Sequence, residues 1–378
     1  MPETLKILIV DDTVTYRQIL TAVCAGIGDA EVIGTASNGE IALLRISKTP
    51  PDLVLLDVSM PVMDGLETLK AIRDEYPDID VIMVSGFNRG NVNLTMKALS
   101  LGALDFVAKP QGTTPDGSLA LLRKSLAPLI SLVKIRKYSR QTKKLSTPYS
   151  KAVSPVWEKP VPPLFRPPAG TSERLSTEPV KKKPIGRIDV VAIGVSTGGP
   201  NTLQRIIPFL DSEIKAPILT VQHMPPMFTA SLAERLDRES NISVVEAKDG
   251  EPVEKRCMYI APGGSHMVVR RNPSGADIIE IVDSPPVNSC KPSVDVLLRS
   301  LPLVYGGNIL AVILTGMGRD GASGVSAIRR RGGYCIVQDE ATSVVWGMPQ
   351  SVVEANDADE ILPLDRIAQR IMEIAGRG

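Results

Sequence analysis

Hydrophobic positions in this chain come in short, β-branched bursts separated by stretches with helical spacing. In residues 1–137 the bursts predict strands at 6–10, 31–35, 52–56, 81–84 and 103–108. The stretches between and after them predict helices at 14–24, 39–47, 66–75, 92–99 and 118–137. Five βα units of this size imply a doubly wound, flavodoxin-like parallel sheet. Residues 188–378 alternate again, with strands predicted at 188–193, 217–221, 259–261, 308–314 and 334–337. Helices are expected at 202–209, 229–236, 294–300, from about 320 to 331, and at 365–375. A hairpin pairs 267–271 with 277–282. This half reads as a second, larger doubly wound α/β domain, with an antiparallel hairpin at one edge.

Between the two, the pattern fails. Residues 138–187 hold 9 of the 31 prolines and show no helical or strand period. They read as an extended linker. Their 11 Lys and Arg against 3 Asp and Glu give +8, so the overall +1 conceals a segregation. Residues 1–137 carry 14 against 16, and residues 188–378 carry 18 against 23. Two mildly acidic globular halves argue against nucleic-acid binding. The runs Lys143-Lys144 and 181–183 are either solvated or a docking patch for an acidic partner.

The longest apolar run, 309–314, is far short of the ~20 residues that a membrane helix needs. The apolar stretch at 7–10 stops at Asp11 and is no signal peptide. Four scattered cysteines without a CxxC pair fit neither a zinc site nor a disulfide framework. The expected location is the cytoplasm.

Chemistry in such sheets gathers at the carboxyl ends of the strands. In the first half those ends carry Asp11 and Asp12, Asp57, Ser85, and Lys109 before Pro110. Three converging carboxylates call for a hard divalent cation, and oxygen ligands suit Mg²⁺. Lys109 would balance a phosphoryl group and Ser85 would donate a hydrogen bond to it. These residues, with Asp64-Gly65 and the stretch Leu-Leu-Asp-Val-Ser-Met-Pro around Asp57, resemble the receiver domain of two-component response regulators. The resemblance implies that Asp57 is phosphorylated by a histidine kinase, with Asp11, Asp12 and Asp57 holding Mg²⁺. It also puts Phe106 at the family's aromatic switch position, where a core aromatic is the alternative.

In the second half the run 188–193 leads into Gly-Val-Ser-Thr-Gly-Gly-Pro, 194–200. Pro200 can open a helix, since its missing N–H is not needed there. Ser196 is thus offered at a strand-to-helix turn beside free backbone N–H groups. The turn suits a nucleophile with an oxyanion hole, a phosphate cradle or a plain tight turn. A nucleophilic serine needs a base and an orienting acid. Of the two histidines, His223 ends a strand on the Ser196 edge and is favoured over His266 in its glycine-rich loop. Asp320, after the strongest buried strand, is favoured over Asp283, Asp295 and Asp339.

Residues 188–378 resemble the catalytic domain of the chemotaxis protein-glutamate methylesterases, the CheB family. The matching stretches are 194–200, Gln222-His223-Met224-Pro225-Pro226, Ala261-Pro262-Gly263-Gly264, Pro292-Ser293-Val294-Asp295, the TGMGRDG run 315–321, and Gly347-Met348-Pro349. The receiver-then-esterase order is also that family's.

The resemblance implies Ser196 as nucleophile, His223 as base and Asp320 as orienting acid, with the N–H groups of Thr197 and Met317 as oxyanion hole. The implied reaction is hydrolysis of glutamate γ-methyl esters on methylated chemoreceptors, with deamidation of glutamine as a second activity, no cofactor for the esterase step, and a chemotaxis histidine kinase as phosphodonor. Ser289-Cys290-Lys291 departs from the more basic, His-containing stretch expected before Pro292. Two other outputs are weighed: a nucleotide-binding module, which GVSTGG does not match in spacing, and a transcription factor, for which no helix-turn-helix is visible.

Overall fold

The structure is a computed structural model that describes residues 4–86, 88–110, 114–145 and 186–376. Most of the predicted linker, with the lysines at 181–183, lies outside the described residues. In the N-terminal domain β1 (Leu5–Val10), β2 (Ala30–Ala36), β3 (Leu53–Asp57), β4 (Asp80–Ser85) and β5 (Asp105–Ala108) form a parallel sheet of order β2-β1-β3-β4-β5. Helices α1 (Val14–Ala25), α2 (Gly39–Lys48), α3 (Gly65–Glu75), α4 (Arg89–Ser100) and α5 (Pro115–Leu145) flank it. Alternation along β1 explains the layering. Leu5, Ile7 and Ile9 face the α1 and α5 side, and Leu8 and Val10 the other. Full burial of each such side chain is worth ~1.5–3 kcal/mol. Helix starts are fixed locally. Asp64 and Glu67 close a capping box on α3, and Asn38 and Asn88 cap α2 and α4.

Helix α5 runs to Leu145, past the predicted end at 137 and into the stretch read as linker. That stretch is too polar to show a hydrophobic period, and ion pairs hold the helix instead. Arg140 reaches both oxygens of Asp80 at 3.0 and 3.1 Å, and Lys137 reaches Asp52 at 2.9 Å.

The C-terminal domain has a seven-stranded parallel sheet of order β14-β13-β12-β6-β7-β9-β8. Its strands are β6 (Val190–Val195), β7 (Ile218–Gln222), β8 (Ser243–Glu246), β9 (Cys257–Ile260), β12 (Ile309–Ile313), β13 (Tyr334–Gln338) and β14 (Glu360–Leu362). The hairpin β10 (His266–Arg271) with β11 (Asp277–Val282) forms its own two-stranded sheet, not an edge of the large one. The helices are α6 (Gly199–Ile206), α7 (Phe228–Glu239), α8 (Val294–Tyr305), α9 (Ala322–Arg330), α10 (Gly347–Glu354) and α11 (Leu364–Ala375).

The sequence pattern misses β8, β14 and α10. The two strands are only four and three residues long. Helix α10 opens on Gly-Met-Pro, which reads as a loop although Pro is tolerated in a first turn. From β6 the chain winds one way to β7, β9 and β8, then returns to add β12, β13 and β14 on the other side. The order reverses between β6 and β12, which makes their carboxyl ends the expected crevice. In the first domain the same reversal falls between β1 and β3.

Candidate active site and its covering domain

The buried strand β6 ends at Val195, so Ser196 emerges at the reversal between β6 and β12. Its N–H donates to Thr315 O at 3.0 Å, and its carbonyl accepts from Gly199 N at 2.8 Å. Gly198 turns the chain at φ 75°, a conformation that side chains resist. A Cβ there would also lie 2.6 Å from Val344. Helix α6 then starts at Gly199 with Pro200 in its first turn, as predicted.

His223 follows β7, and its N–H donates to Val195 O at 3.1 Å. Its Nε2 lies 2.8 Å from Asp320 Oδ2. Asp320 is held at the start of α8. Its Oδ2 accepts from Val294 N at 2.7 Å, and its Oδ1 from Ser293 Oγ at 2.8 Å, Asn288 Nδ2 at 2.9 Å and Asp295 N at 3.2 Å.

The competing candidates have other duties. Asp295 Oδ1 accepts from Gly321 N at 3.0 Å and Gly324 N at 2.7 Å, at the start of α9. Asp339 accepts from Thr342, and Asp283 pairs with Lys291. His266 is buried, with Nδ1 3.1 Å from Ser293 N and Nε2 3.2 Å from Pro285 O. Both its ring nitrogens thus serve the backbone of the segment 285–293 that leads into α8.

The electrostatics follow from these contacts. Burial works against the Asp320 carboxylate, but the bonds from His223, Asn288 and Ser293 outweigh it and hold the acid down at about 2. Burial likewise works against the charged His223. Asp320 and the nearby Cys290 thiol overcome it and push the imidazole up to about 9.

Ser196, Thr197, His223, Cys290 and Met317 line one cavity of about 390 Å³. Among the described residues the N–H groups of Thr197 and Met317 have no acceptor, so two donors are open beside Ser196. Gly316 permits this approach, since a Cβ on it would stand 2.8 Å from Ser196 Cβ. Ser196 Oγ forms no hydrogen bond with His223 here, and such bonds commonly tighten only around substrate.

The other wall of the cavity belongs to the first domain. Asp105 and Phe106 of β5, together with Lys124 and Leu129 of α5, line it. Burial raises the Asp105 carboxyl to about 7, opposed by hydrogen bonds from Phe106 N and the Thr197 side chain. The Phe106 ring stacks on Phe228 of α7 with centroids 4.4 Å apart. Phe106 therefore bridges the domains, and it also packs against the buried apolar cluster. Near the end of α4, two carbonyls accept additional hydrogen bonds across the boundary. Asn201 Nδ2 donates to Leu99 O at 2.8 Å and Arg235 Nη1 to Met96 O at 2.6 Å. Met317, Val344 and Val345 pack on the apolar cluster that includes α5.

In the first domain, ligand atoms of Asp11, Asp12 and Asp57 gather within 4.8 Å of one another. Lys109 Nζ bridges Asp11 at 2.7 Å and Asp57 at 2.8 Å. Burial raises the Asp57 carboxyl more than Lys109 lowers it. The all-oxygen donor set fits a hard divalent cation. The buried Ser85 hydroxyl, at the end of β4, accepts from Thr95 Oγ1 at 2.7 Å.

A phosphoacceptor-like acidic pocket on one doubly wound sheet thus faces, across a shared boundary, a Ser/His/Asp cluster on another. This defines a response regulator with an enzymatic output domain. The chain matches the response regulator receiver domain over residues 7–115 and CheB methylesterase over residues 191–371. It is 41% identical over 371 residues to the protein-glutamate methylesterase/protein-glutamine glutaminase of Desulfotalea psychrophila, with 98% of both chains covered. The enzyme of the same description from Archaeoglobus fulgidus is 40% identical over 374 residues, with 97% of both chains covered. The solved catalytic domain of Thermotoga maritima CheB methylesterase is 43% identical, covering 50% of this chain and 100% of its own, with a TM-score of 0.48. The chain belongs to the protein-glutamate methylesterase/protein-glutamine glutaminase family and is a hydrolase of that family.

Several contact residues have no standing in the sequence reading. Gln222, Ser293 and Thr315 lie inside the recognised stretches but carry no role there. Asn288 and Asp105 lie outside them, and only the folded contacts single them out.

The His223 value yields a prediction. Replacing Asp320 with Asn removes the anion that favours imidazolium, so the pKa of His223 should fall from about 9 toward or below the usual ~6.5. The chain has two histidines, so NMR titration of the ring protons can resolve the shift. An unmoved His223 resonance would show that Asp320 is not its dominant partner.

Proposed function

We propose that this chain hydrolyses glutamate γ-methyl esters, and deamidates glutamine, on methylated chemoreceptors, under control of phosphorylation at Asp57. The observation that carries this reading is the His223–Asp320 pair at 2.8 Å in the cavity that also holds Ser196 and two open N–H groups. Ser196 Oγ attacks the γ-carbonyl carbon while neutral His223 takes its proton. Since Nε2 is engaged with Asp320, the working nitrogen is Nδ1. The oxyanion that forms accepts from Thr197 N and Met317 N. Collapse breaks the ester C–O bond, and His223 returns the proton to the departing methanol. For glutamine the C–N bond breaks and ammonia leaves. Water, deprotonated by His223, then opens the acyl-enzyme to glutamate and restores Ser196. The steps need no cofactor.

In the receiver domain, Asp11, Asp12 and Asp57 would hold Mg²⁺, which neutralises charge on the incoming phosphoryl group. A chemotaxis histidine kinase is the phosphodonor in this reading, and the cytoplasm its setting. Among the described residues no helix is long and apolar enough to cross a membrane. Lys109, salt-bridged to Asp57, directly follows β5, whose Asp105 and Phe106 face the Ser196 cavity. A phosphoryl group on Asp57 adds roughly −1.5 to −2 charges and competes for Lys109. That pull on the end of β5 loosens the cover.

Three outcomes test the reading. Ser196→Ala should keep its fold and lose several orders of magnitude in methanol release from methylated receptor. Activity within threefold of the parent would remove Ser196 as nucleophile. His223→Gln should be nearly inactive, whereas His266→Gln should keep catalysis and lose some stability, because its ring bonds only backbone. The reverse pattern would exchange their roles. Finally, the fragment 188–378 should match or exceed the full chain treated with a small phosphodonor and Mg²⁺, and Asp57→Ala should ignore the donor. A fragment slower than the unphosphorylated chain would make the receiver an activator. A steep loss of inhibition with salt would point to the basic linker as the clamp.

A further inference from the structure

We infer that Gln222 is a positioning residue that fixes the distance between the serine turn and His223, an inference that rests on the triad reading above. Gln222 is the last residue of β7 and only 2% exposed. Its Nε2 donates to the carbonyl of Ser196 at 3.0 Å and to the carbonyl of His223 at 3.1 Å. One amide nitrogen, with two N–H groups, therefore ties the backbones of the proposed nucleophile and the proposed base to each other. The sheet supplies the opposite side of the frame through His223 N to Val195 O at 3.1 Å. The two residues are joined across two adjacent strands at both ends of the same short span.

The amide keeps this position at a cost. Its Oε1 is buried without a hydrogen-bond partner, and such groups are rare enough to need a reason. Oε1 is directed at Gly199, where a Cβ would stand 1.9 Å from it. The turn has thus given up a side chain to admit the amide. A methionine or leucine of similar size would fill the space and remove the orphaned oxygen, but it would also lose both N–H donors, so packing alone does not explain the amide. The two carbonyls explain it. Their spacing sets where Ser196 Oγ and the imidazole start, and catalysis is sensitive to displacements of about 1 Å, which can cost on the order of 100-fold. Gln338 does related work from β13, accepting from Thr315 N at 2.8 Å. It steadies the Met317 loop and does not touch Ser196 or His223.

The test uses the full chain with a small phosphodonor and Mg²⁺, methylated receptor as substrate, and Ser196→Ala as reference. Gln222→Met should still fold, with a modestly lower melting temperature because two hydrogen bonds to carbonyls are lost. Its kcat should fall on the order of 10- to 100-fold with KM unchanged. The rate at which a sulfonyl fluoride modifies Ser196 should fall in parallel, since that reaction reads the activated hydroxyl without receptor binding. A kcat within threefold of the parent overturns the inference, as does a loss that tracks the unfolded fraction. Gln222→Leu is the second variant, and failure of both to fold would make the amide structural and overturn the inference too. Wild-type activity in Ser196→Ala would instead sink the triad reading itself.

Discussion

The active edge of the C-terminal domain depends on an exchange of carboxylates between two helix starts. Asp320 lies just before α9 but accepts from Ser293, Val294 and Asp295 at the start of α8. Asp295, in the first turn of α8, accepts from Gly321 and Gly324 at the start of α9. Each helix leaves N–H groups unpaired at its start, and a carboxylate there stabilises by ~0.5–2 kcal/mol. Here each helix receives that carboxylate from the other, so neither start can shift alone. Because Asp320 is held ionised by donors at fixed positions, it has one direction left in which to accept, and His223 occupies it. Asn288 ties the pair together by donating to both carboxylates. His266 belongs to this frame, since its Nδ1 faces Ser293 N. The two histidines thus divide between supporting α8 and accepting direction from Asp320.

The receiver domain reaches this edge through its own edge strand. β5 ends next to Lys109, which sits between Asp11 and Asp57, and its first residues, Asp105 and Phe106, stand in the wall of the Ser196 cavity. A change at the acidic pocket therefore needs to travel only the length of one four-residue strand. The short strand also explains the placement of Phe106. On a central strand its ring would be buried within the receiver, whereas on the edge it is free to stack against Phe228.

The architecture was legible because β-branched strand cores and strand-end polar residues are local signals. Both parallel sheets and the acidic pocket stand where the pattern put them, and the hairpin forms at the expected residues but as its own sheet. Elements that owe their existence to long-range contacts were not legible. The last turns of α5 are polar and rest on Asp80 and Asp52, which lie more than fifty residues away. The edge strands β8 and β14 are too short to show a period. At the site, Ser196, His223 and Asp320 could be nominated from strand ends. The residues that hold them were not nominated: Asn288 lies in a loop, and Gln222, although it ends β7, offers a neutral amide whose bonds to backbone appear only in the fold.

The boundary between the domains is partly polar and partly apolar. It combines one aromatic stack, worth ~0.5–1.5 kcal/mol beyond burial, with a few hydrogen bonds such as Asn201 and Arg235 to α4 carbonyls, each netting ~0.5–1.5 kcal/mol. Val92, Met96 and Leu99 of α4 also share one buried apolar cluster with Leu203 of α6 and Phe228 of α7. A phosphoryl group at Asp57 would thus have to bias this packing, and ligand-driven switches act through biases of ~1–3 kcal/mol. The need for cover follows from the site's own chemistry. In the proposed reading, two unpaired N–H groups beside a serine would bind any carbonyl that reaches them, so selectivity would not rest on the oxyanion hole. It has to come from access. A neighbouring domain whose edge strand lines the same cavity would supply that access control, and it touches the site itself through the hydrogen bond between the Thr197 side chain and Asp105.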